Sequence, residues 1–338
     1  MGEVTAPAPP APIRVVLLSE VNSKFGAPFL AELLAHPDVE VAAVLTRPPG
    51  RLCSYYLGEP DPVDLAEQAS SAGVRVLRPR SVNDPETVAA LAELDPDYLL
   101  IANFQQILRE PVLDVPRRAV VNFHPGPLPR YAGLAPFFWM ARHGERDSGV
   151  TALITTPGID DGPVLAQRPV PLDGTEDAGQ IRDRLFSESR RLLREVIPRL
   201  VAGDLAAIPQ DPEQRTYFSS PGPDDTSINW SWNAEEVLRV VRACHPQPGA
   251  LIATDGTGLR VHEARALPRE AAPGTAHSPG TVRSHPRHGL MIACADAWIQ
   301  VLSLSWHPQG GSAPSSSGGV DDPDLSAGLV ELLAAHTE

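Results

Sequence analysis

The feature that most constrains the fold is an alternation, in the first third of the chain, of short apolar runs with segments whose apolar residues recur at helical spacing. The apolar runs have the length and composition of buried strands. Strands that alternate with helices predict a parallel sheet with right-handed crossovers. The predicted strands are 14–18, 39–45, 74–77, 98–102 and 119–123, and the predicted helices between them are 28–34, 63–72 and 84–94.

The last of these strands ends in a group of polar residues and prolines. Asn122 and His124 stand two residues apart, and Pro125, Pro127 and Pro129 then end regular structure. Because a strand sends alternate side chains to the same face, Asn122 and His124 can point into one pocket. That pocket is expected at the carboxyl ends of the strands, where open α/β sheets bind their ligands.

A second apolar run, 150–154, leads into a loop in which Asp160 lies between Gly158 and Gly162. Together with the end of the earlier strand, this loop supplies an amide donor, a titratable imidazole and a carboxylate. These are the groups that acyl transfer to an amine requires. The pattern therefore favours a transferase site.

Each of these residues also has a plainer interpretation. A polar strand end often bonds nearby backbone groups, and an acidic residue between glycines is often a turn residue. Asp161 competes with Asp160 for the catalytic role. A metal site at His124 would need a second nearby His at ligand spacing, so we predict no metal. The loop after the first strand, 19–26, has no Gly-x-Gly-x-x-Gly motif, which disfavours a dinucleotide cofactor.

Two motifs together, Asn-x-His-Pro at 122–125 and Ile-Asp-x-Gly at 159–162, resemble the formyltetrahydrofolate-dependent formyltransferase family. That family carries Asn-x-His-(Pro/Gly)-Ser-Leu-Leu-Pro, followed by a Leu-Asp-x-Gly loop. In this chain Gly-Pro at 126–127 replaces the Ser-Leu pair, and Ile replaces the Leu before the Asp. The resemblance covers about 14–304 and is closest in organisation to the methionyl-tRNA formyltransferases.

The resemblance implies a site as well as a family. The catalytic residues of the family fall on Asn122, His124 and Asp160, and the implied formyl donor is 10-formyltetrahydrofolate. The pterin of the donor is expected along the backbone of Phe104, Gln105, Gln106, Ile107 and Leu108, with the loop containing Thr156, Gly158, Ile159 and Asp160 on its other side. The acceptor is expected near Tyr55, Tyr56, Arg130 and Tyr131. An ordinary turn, or core and surface side chains, are the alternatives for these loops.

The resemblance also implies an α/β fold with a Rossmann-like, mostly parallel sheet in a catalytic domain at 13–208. A polar, proline-rich linker at 209–226 would lead to a smaller β-barrel-like domain at 227–308. We expect a disordered tail at 1–12, and a Gly/Ser linker with a short helix at 309–338. The remaining predicted elements are strands at 164–170, 250–253, 259–264, 280–282, 290–294 and 298–304, and helices at 178–200, 234–244 and 323–335.

The charge of the chain bears on the acceptor. The formal net charge is −14, and tRNA binding relies on Lys and Arg to neutralise phosphates. The segment 51–60 stands where methionyl-tRNA formyltransferases carry a basic loop, but here it is short, aromatic and acidic. We therefore predict a small-molecule amine acceptor, with methionyl-tRNA as the alternative and no role for DNA. A local basic face remains open for Arg239, Arg242, Arg260, Arg265 and Arg269.

Composition also predicts the compartment. No apolar run reaches the length of a membrane span, and 1–12 lacks the features of a signal peptide. Cys53, Cys244 and Cys294 are scattered, which favours buried free thiols over disulfides or zinc. We expect a cytoplasmic protein that does not bind membranes, and the sequence does not set its oligomeric state.

Two other functions compete with amine formylation. A non-catalytic folate-binding protein could retain the fold, although all three polar residues of the motifs are present. A formyltetrahydrofolate hydrolase is the other alternative, but those enzymes usually carry an extra N-terminal regulatory domain. Only a short tail precedes the first predicted strand, so we expect transfer to an amine.

Overall fold

The computed structural model describes residues 11–56, 59–252, 258–268 and 277–306. These residues form two compact units. The first unit comprises the described residues of 1–133, 148–170 and 184–217, and the second comprises those of 134–147, 171–183 and 218–338. Nearly all of the predicted tail, the predicted elements within 309–338, and Arg269 lie outside the described residues.

The first unit is built on one sheet. The strands of this part of the chain are β1 (Ile13–Leu18), β2 (Val39–Leu45), β3 (Arg75–Leu77), β4 (Tyr98–Ile101), β5 (Ala119–His124), β6 (Ala132–Gly133), β7 (Asp147–Ile154) and β8 (Val164–Pro171). The short strand β6 is not part of the sheet. The sheet order is β3-β2-β1-β4-β5-β7-β8. Neighbours from β3 to β5 pair in parallel, and β7 runs antiparallel to β5. The prediction of a mostly parallel sheet is confirmed.

Six helices precede residue 203 in the described part of the chain. They are α1 (Gly26–Ala35), α2 (Leu65–Ser71), α3 (Pro85–Ala92), α4 (Glu110–Leu113), α5 (Pro136–His143) and α6 (Ala178–Ala202). Asp64 begins α2, because its side chain accepts from the backbone N–H groups of Ala66 and Glu67. Neither α4 nor α5 is among the predicted elements, since α4 has only 4 residues and the apolar residues of α5 form a continuous run at 136–141 without helical spacing.

A buried apolar layer holds the sheet of the first unit against its helices. It includes Val16, Leu45, Leu99 and Val120 from four neighbouring strands and Leu91 from α3. Burying side chains of this size contributes about 1.5–3 kcal/mol each. This layer fixes the carboxyl ends of β1, β4 and β5 beside one another. The order of the strands reverses between β1 and β4, which is the switch point at which such sheets bind ligands.

The second unit contains a six-stranded sheet. The elements after α6 are β9 (Tyr217–Phe218), α7 (Pro223–Thr226), β10 (Ser227–Ile228), α8 (Ala234–Cys244), β11 (Ala250–Ile252), β12 (Leu259–Ala266), β13 (Val282–His285), β14 (Gly289–Ala293) and β15 (Trp298–Trp306). The sheet order is β10-β11-β12-β15-β14-β13, and its pairs are antiparallel except the parallel β10–β11 pair. The predicted fold class, with a smaller C-terminal sheet domain, is confirmed.

Helix α8 has the bounds that the sequence predicts. Asn233 and Glu236 form a reciprocal capping box, in which each side chain accepts from the other residue's backbone N–H. The segment predicted as a linker, 209–226, contains a 3₁₀ turn at Pro212–Gln214 and the whole of β9 and α7. The domain boundaries at 208 and 227 stay predictions.

The three cysteines are free and buried, as predicted. Burial raises the pKa of Cys244 and of Cys294 to about 12, so these thiols stay protonated and unreactive at neutral pH. In the part of the chain that the structure describes, no helix is both long and apolar enough to cross a membrane.

Candidate active site

The carboxyl end of β5 places Asn122 and His124 beside β7. Asn122 is partly buried, and only 5% of His124 is exposed. The turn that follows is held from β7, because Thr151 Oγ1 donates to the carbonyl of Gly126 (2.7 Å) and accepts from the N–H of Leu128 (3.2 Å). A Cβ at Gly126 would lie 2.7 Å from His124 Nε2, so only glycine lets this turn pass so close to the imidazole.

The loop after β7 is folded tightly around Asp160. A Cβ at Gly162 would lie 1.8 Å from the carbonyl oxygen of Ile154, and one at Gly158 would lie 1.9 Å from Asp161 Oδ2. Asp160 itself has a φ of +51°, in the left-handed region that non-glycine residues rarely adopt. The two glycines therefore permit a path in which Asp160 is held in an uncommon backbone conformation. Such conformations cluster at functional sites.

Asp160 is the point at which the predicted catalytic side chains meet. Its Oδ1 accepts from Asn122 Nδ2 (3.2 Å), and its Oδ2 accepts from the N–H of Gly133 (2.9 Å). The same Oδ2 lies 3.5 Å from His124 Nδ1. Asp161, the competing carboxylate, instead accepts a hydrogen bond from Thr156 Oγ1. Among the described residues, no group of three or more His, Cys, Asp and Glu side chains is arranged to hold a metal ion.

The second nitrogen of His124 has a backbone partner. His124 Nε2 lies 2.8 Å from the carbonyl oxygen of Tyr131. A carbonyl only accepts, so Nε2 carries a hydrogen in this arrangement, and Nδ1 is the nitrogen that faces Asp160. The geometry can hold a proton at Nδ1 beside a carboxylate, which is the arrangement that general acid–base chemistry uses.

The loop predicted to hold the donor follows β4 at the switch point of the sheet. It is tied down by Glu20, whose side chain is fully buried and follows β1. Glu20 Oε1 accepts from the N–H of Gln105 (3.0 Å) and from Arg47 Nε (3.1 Å), and the N–H of Glu20 donates to the carbonyl of Asn103 (2.9 Å). Three loops at the carboxyl edge of the sheet are thereby held together.

The side chains of that loop divide into two kinds. Phe104 and Leu108 pack in the apolar layer under the sheet, as the plainer interpretation of them expects. Gln106 Oε1 accepts from the N–H of Val82 (2.8 Å), and Gln105 Nε2 lies 3.3 Å from the sulfur of Cys53. These four side chains are engaged within the protein, and contact of the loop backbone with the donor stays a prediction.

Observations on the two loops fit a flat ring with polar edges. Ile107 is 63% exposed on one loop and Ile159 is 39% exposed on the other, so each offers apolar surface. Thr155 Oγ1 is buried and has no hydrogen-bond partner within the described structure. A buried hydroxyl without a partner is costly unless a ligand or water satisfies it. These residues fit the pterin part of a folate.

The four residues predicted on the acceptor side lie in different surroundings. Tyr131 is buried, and its backbone reaches the catalytic group through the hydrogen bond with His124. The guanidinium of Arg130 lies 5.9 Å from the centre of the Tyr131 ring. Tyr55 is 37% exposed, whereas Tyr56 is buried and its hydroxyl oxygen accepts from Asn103 Nδ2 (3.4 Å). Their part in acceptor binding stays a prediction.

Several contacts at the site are absent from the sequence predictions. The N–H of Gly133 and the carbonyl of Tyr131 contact the catalytic side chains through the backbone, which leaves no mark in residue type. Gln210 and Arg215 donate to carbonyls of the Asp160 loop from within the predicted linker. Isolated polar residues in a polar segment carry no signal of such a contact.

Family models match both parts of the chain. The formyl transferase model matches residues 13–197, and the model of the formyl transferase C-terminal domain matches residues 222–312. The first match alone covers more than half of the chain. The formyl donor of this family is formyltetrahydrofolate, so the predicted enzyme class and donor are confirmed.

Individual relatives agree with these matches. The chain is 31% identical over 297 residues to methionyl-tRNA formyltransferase from Geobacter sulfurreducens, covering 87% of this chain and 89% of the relative. It is 36% identical over 286 residues to methionyl-tRNA formyltransferase from Chloroflexus aurantiacus, covering 83% and 90%. The fold resembles a crystal structure of an N-formyltransferase from Helicobacter canadensis in complex with folinic acid and dTDP-3-aminofucose, with a TM-score of 0.65, 18% identity and coverage of 86% and 98%. From these matches and the site geometry, the chain belongs to the formyl transferase family.

Proposed function

We propose that this protein transfers a formyl group from 10-formyltetrahydrofolate to the nitrogen of a small-molecule amine. The observation that carries the proposal is the meeting of Asn122, His124 and Asp160 at the carboxyl edge of the sheet, next to two loops that fit a folate. Asn122 and His124 come from β5, and Asp160 comes from the loop after β7, so the meeting of the carboxylate with the other two side chains is a property of the fold. A protein that only bound folate would not require it.

Asn122 is assigned the role of stabilising charge during the transfer. The donor supplies the formyl group on its N10 atom. One hydrogen of Asn122 Nδ2 is donated to Asp160, which leaves a second hydrogen for the formyl oxygen, where negative charge develops. A single donor of this kind is typically worth about 100- to 1,000-fold in rate. His124 adds positive charge to the same site when both of its ring nitrogens are protonated.

Asp160 is assigned the role of accepting the proton that the amine loses. Its Oδ2 is shared between the N–H of Gly133 and His124 Nδ1, and it is 12% exposed. A carboxylate at this position orients the imidazole and accepts a proton directly or through water. The acceptor nitrogen has to enter uncharged, because only its lone pair can attack the formyl carbon. As the new bond from that nitrogen to the formyl carbon forms, the bond from the formyl carbon to N10 breaks, and the proton lost by the amine is balanced by the one that N10 of the departing tetrahydrofolate gains.

A small amine is the proposed acceptor because the described arginines considered for a basic face are bonded within the protein. Arg239 and Arg242 of α8 both contact Glu235 Oε1, at 3.1 and 2.6 Å. Arg260 donates to the carbonyl of Gly249, and Arg265 donates to Gln300 Oε1. The face that these arginines were considered to form in α8 and β12 is therefore partly neutralised or bonded internally, which supports an acceptor other than tRNA.

Contacts of the segment after β2 also support an acceptor other than tRNA. Lys24 is paired with Glu59 at 2.7 Å, and Arg47 is turned onto the buried Glu20 at 3.1 Å. The formal net charge of −14 adds a long-range repulsion toward polyanions. A tRNA-binding loop would instead present its cations to the phosphates.

Methionyl-tRNA is the second candidate acceptor. It is favoured by the methionyl-tRNA formyltransferases that match this chain over nearly their whole length, including the C-terminal domain. Both candidates place the reaction at the same three residues. A cytoplasmic location belongs to either version of the proposal.

One experiment separates these possibilities. The protein is incubated with 10-formyltetrahydrofolate and a panel of amines that includes amino-sugar nucleotides, ornithine derivatives and charged initiator tRNA. Turnover of a small amine, with weak tRNA binding, is the expected result. Efficient formylation of methionyl-tRNA, with an affinity that falls steeply between low and moderate salt, would establish the second candidate. Rapid formate release without an amine would identify a hydrolase.

A further inference from the structure

The residues 208–217, named here the return segment, belong to the first unit and contact the catalytic loops directly. The segment begins with a two-bond bridge in which Ile208 and Val164 exchange backbone hydrogen bonds of 2.7 and 2.8 Å. It then forms the 3₁₀ turn Pro212–Gln214, which Asp211 caps by accepting from the N–H of Glu213 at 3.0 Å. The start of the segment is thus fixed to β8, and its turn is closed by a local hydrogen bond.

The first half of the contacts goes to the Asp160 loop. Gln210 Nε2 donates to the carbonyl oxygens of Asp160 and Gly162, both at 2.8 Å. Two acceptor carbonyls require the nitrogen of the amide to face them, which sets the orientation of Gln210. Arg215 donates to the carbonyls of Asp160 (Nη1, 3.2 Å) and Ile159 (Nη2, 2.6 Å). Both lone pairs of the Asp160 carbonyl are therefore used by this segment.

The remaining contacts of the return segment go to the backbone around Tyr131, whose carbonyl is the partner of His124 Nε2. Thr216 Oγ1 accepts from the N–H of Tyr131 (2.9 Å), and the carbonyl of Thr216 accepts from the N–H of Ala132 (3.0 Å). Tyr131 has a φ of +59°, and Asp160 a φ of +51°, so both residues need neighbours that hold them in this conformation. The return segment bonds the backbone at both positions.

We infer that Gln210, Arg215 and Thr216 are positioning residues for the formyl transfer, acting through the two partners of His124. One partner is the carboxylate of Asp160, and the other is the carbonyl of Tyr131. The distance of 3.5 Å between His124 Nδ1 and Asp160 Oδ2 depends on both loops at once. Because a displacement of about 1 Å can cost about 100-fold in rate, residues that fix both loops affect turnover without touching substrate. This inference rests on the proposed roles of His124 and Asp160.

The test compares matched variants. Arg215→Met removes the two guanidinium donors to the Asp160 loop and leaves that of Gln210, and Thr216→Val removes the acceptor of the Tyr131 N–H. Arg199→Met is the control, since Arg199 also donates to backbone carbonyls, those of Leu165 (2.5 Å) and Ala206 (2.7 Å), outside the Asp160 loop. Thr216→Ser keeps the hydroxyl and serves as the rescue variant.

We expect Arg215→Met and Thr216→Val each to lower kcat by about 10-fold or more, with KM for the donor within about threefold of wild type. Thr216→Ser and Arg199→Met should keep kcat within about twofold, even where Arg199→Met lowers the melting temperature as much as Arg215→Met. Equal loss of kcat in the two Arg variants at equal loss of stability would overturn the inference.

A second readout does not depend on turnover. In protein labelled with ¹⁵N-histidine, the ring nitrogens of His124 report the hydrogen bonds at Nδ1 and Nε2. Thr216→Val should displace these resonances and Arg199→Met should leave them in place. If the protein formylates none of the amines, the proposed function fails, yet displaced resonances still support positioning by the return segment. Unchanged resonances in Thr216→Val contradict it.

Discussion

Each unit of this protein contains a histidine beside an aspartate, and the two pairs differ in the other groups that contact the histidine. His124 Nδ1 lies 3.5 Å from Asp160 Oδ2, while its Nε2 is bound to a backbone carbonyl. His245 Nδ1 lies 3.2 Å from Asp177 Oδ2, and its Nε2 lies 3.6 Å from Glu263 Oε1. The first pair has an amide donor beside it, and the second has a further carboxylate.

The difference shows what makes such a pair suited to catalysis or to structure. At His245, a hydrogen bond with Asp177 is the main cause that raises the pKa, and Glu263 raises it further, against the effect of burial. The ion-pair distance to Asp177 is short although the hydrogen-bond alignment at Nδ1 is poor. His245 stands at the C-terminal end of α8, where a cation also stabilises the helix. His124 instead ends a strand whose carboxyl edge is open to a ligand.

The largest effect is expected from removing each histidine in turn. His124→Ala should lower kcat by about 100- to 10,000-fold, the range typical of a lost acid–base group. His245→Ala should keep kcat within about twofold while lowering the melting temperature. Steady-state formylation kinetics and thermal melting of both variants measure the two effects. An equal loss of kcat in the two variants would remove the distinction between the pairs.

A second comparison is between Asp160 and Asp161, the two neighbouring carboxylates of the catalytic loop. Asp160→Asn should reduce kcat by about 100-fold, because the amide cannot accept a proton and presents N–H groups toward His124 or Asn122. Asp161→Asn should have a small effect, since Asp161 bonds Thr156 and not the histidine. Folate binding, followed by fluorescence, is the control and should change little in either variant. Collapse of turnover in the Asp161 variant alone would show that the wrong carboxylate is assigned.

Two glycines allow the same perturbation beside each histidine. A Cβ at Gly126 would lie 2.7 Å from His124 Nε2, and a Cβ at Gly179 would lie 2.8 Å from the Cδ of Pro246, the residue after His245. Gly126→Ala should lower kcat by about 10- to 100-fold through displacement of the imidazole. Gly179→Ala should instead lower stability, by about 1–3 kcal/mol as for other overpacked sites. Denaturant unfolding and kinetics of both variants check this. A large loss of kcat in Gly179→Ala would contradict it.

The smallest effect concerns pH. The raised pKa of His245 means that its contribution to stability is fully present below its unfolded pKa and is lost as pH rises through its folded pKa. For Asp177, burial raises the pKa, but the hydrogen bond from His245 and backbone N–H groups outweigh it and lower the pKa overall. The contribution of Asp177 is therefore lost only as pH falls into the acidic range.

The free energy of unfolding of the wild type should accordingly decrease, relative to His245→Gln, as pH rises from about 6 toward alkaline values. Urea unfolding at a series of pH values measures the difference between the two proteins. Because other titrating groups are common to both, they cancel in that difference. A difference that stays constant across this range would show that His245 is not charged in the native protein at the lower pH.

Much of this molecule follows from local patterns in the chain. The strand end at Asn122 and His124 could be predicted because an apolar run, polar residues at a spacing of two and a block of prolines occur together. Helix α8 could be predicted because the capping residues Asn233 and Glu236 mark its start. Helix α5 was not predicted, because its apolar residues form a continuous run at 136–141 and do not recur at helical spacing.

The sequence by itself determined the parallel sheet and the family, and it predicted Asn122 and His124 as site residues, since each depends on residue type at short spacing. Only the tertiary structure decided which carboxylate faces His124, and that Tyr131 and the return segment hold the site. Those contacts join backbone groups to side chains up to 85 residues apart, as between Tyr131 and Thr216. Every non-proline residue offers the same backbone donor and acceptor, so their pairing is set by packing of the whole unit and not by residue type.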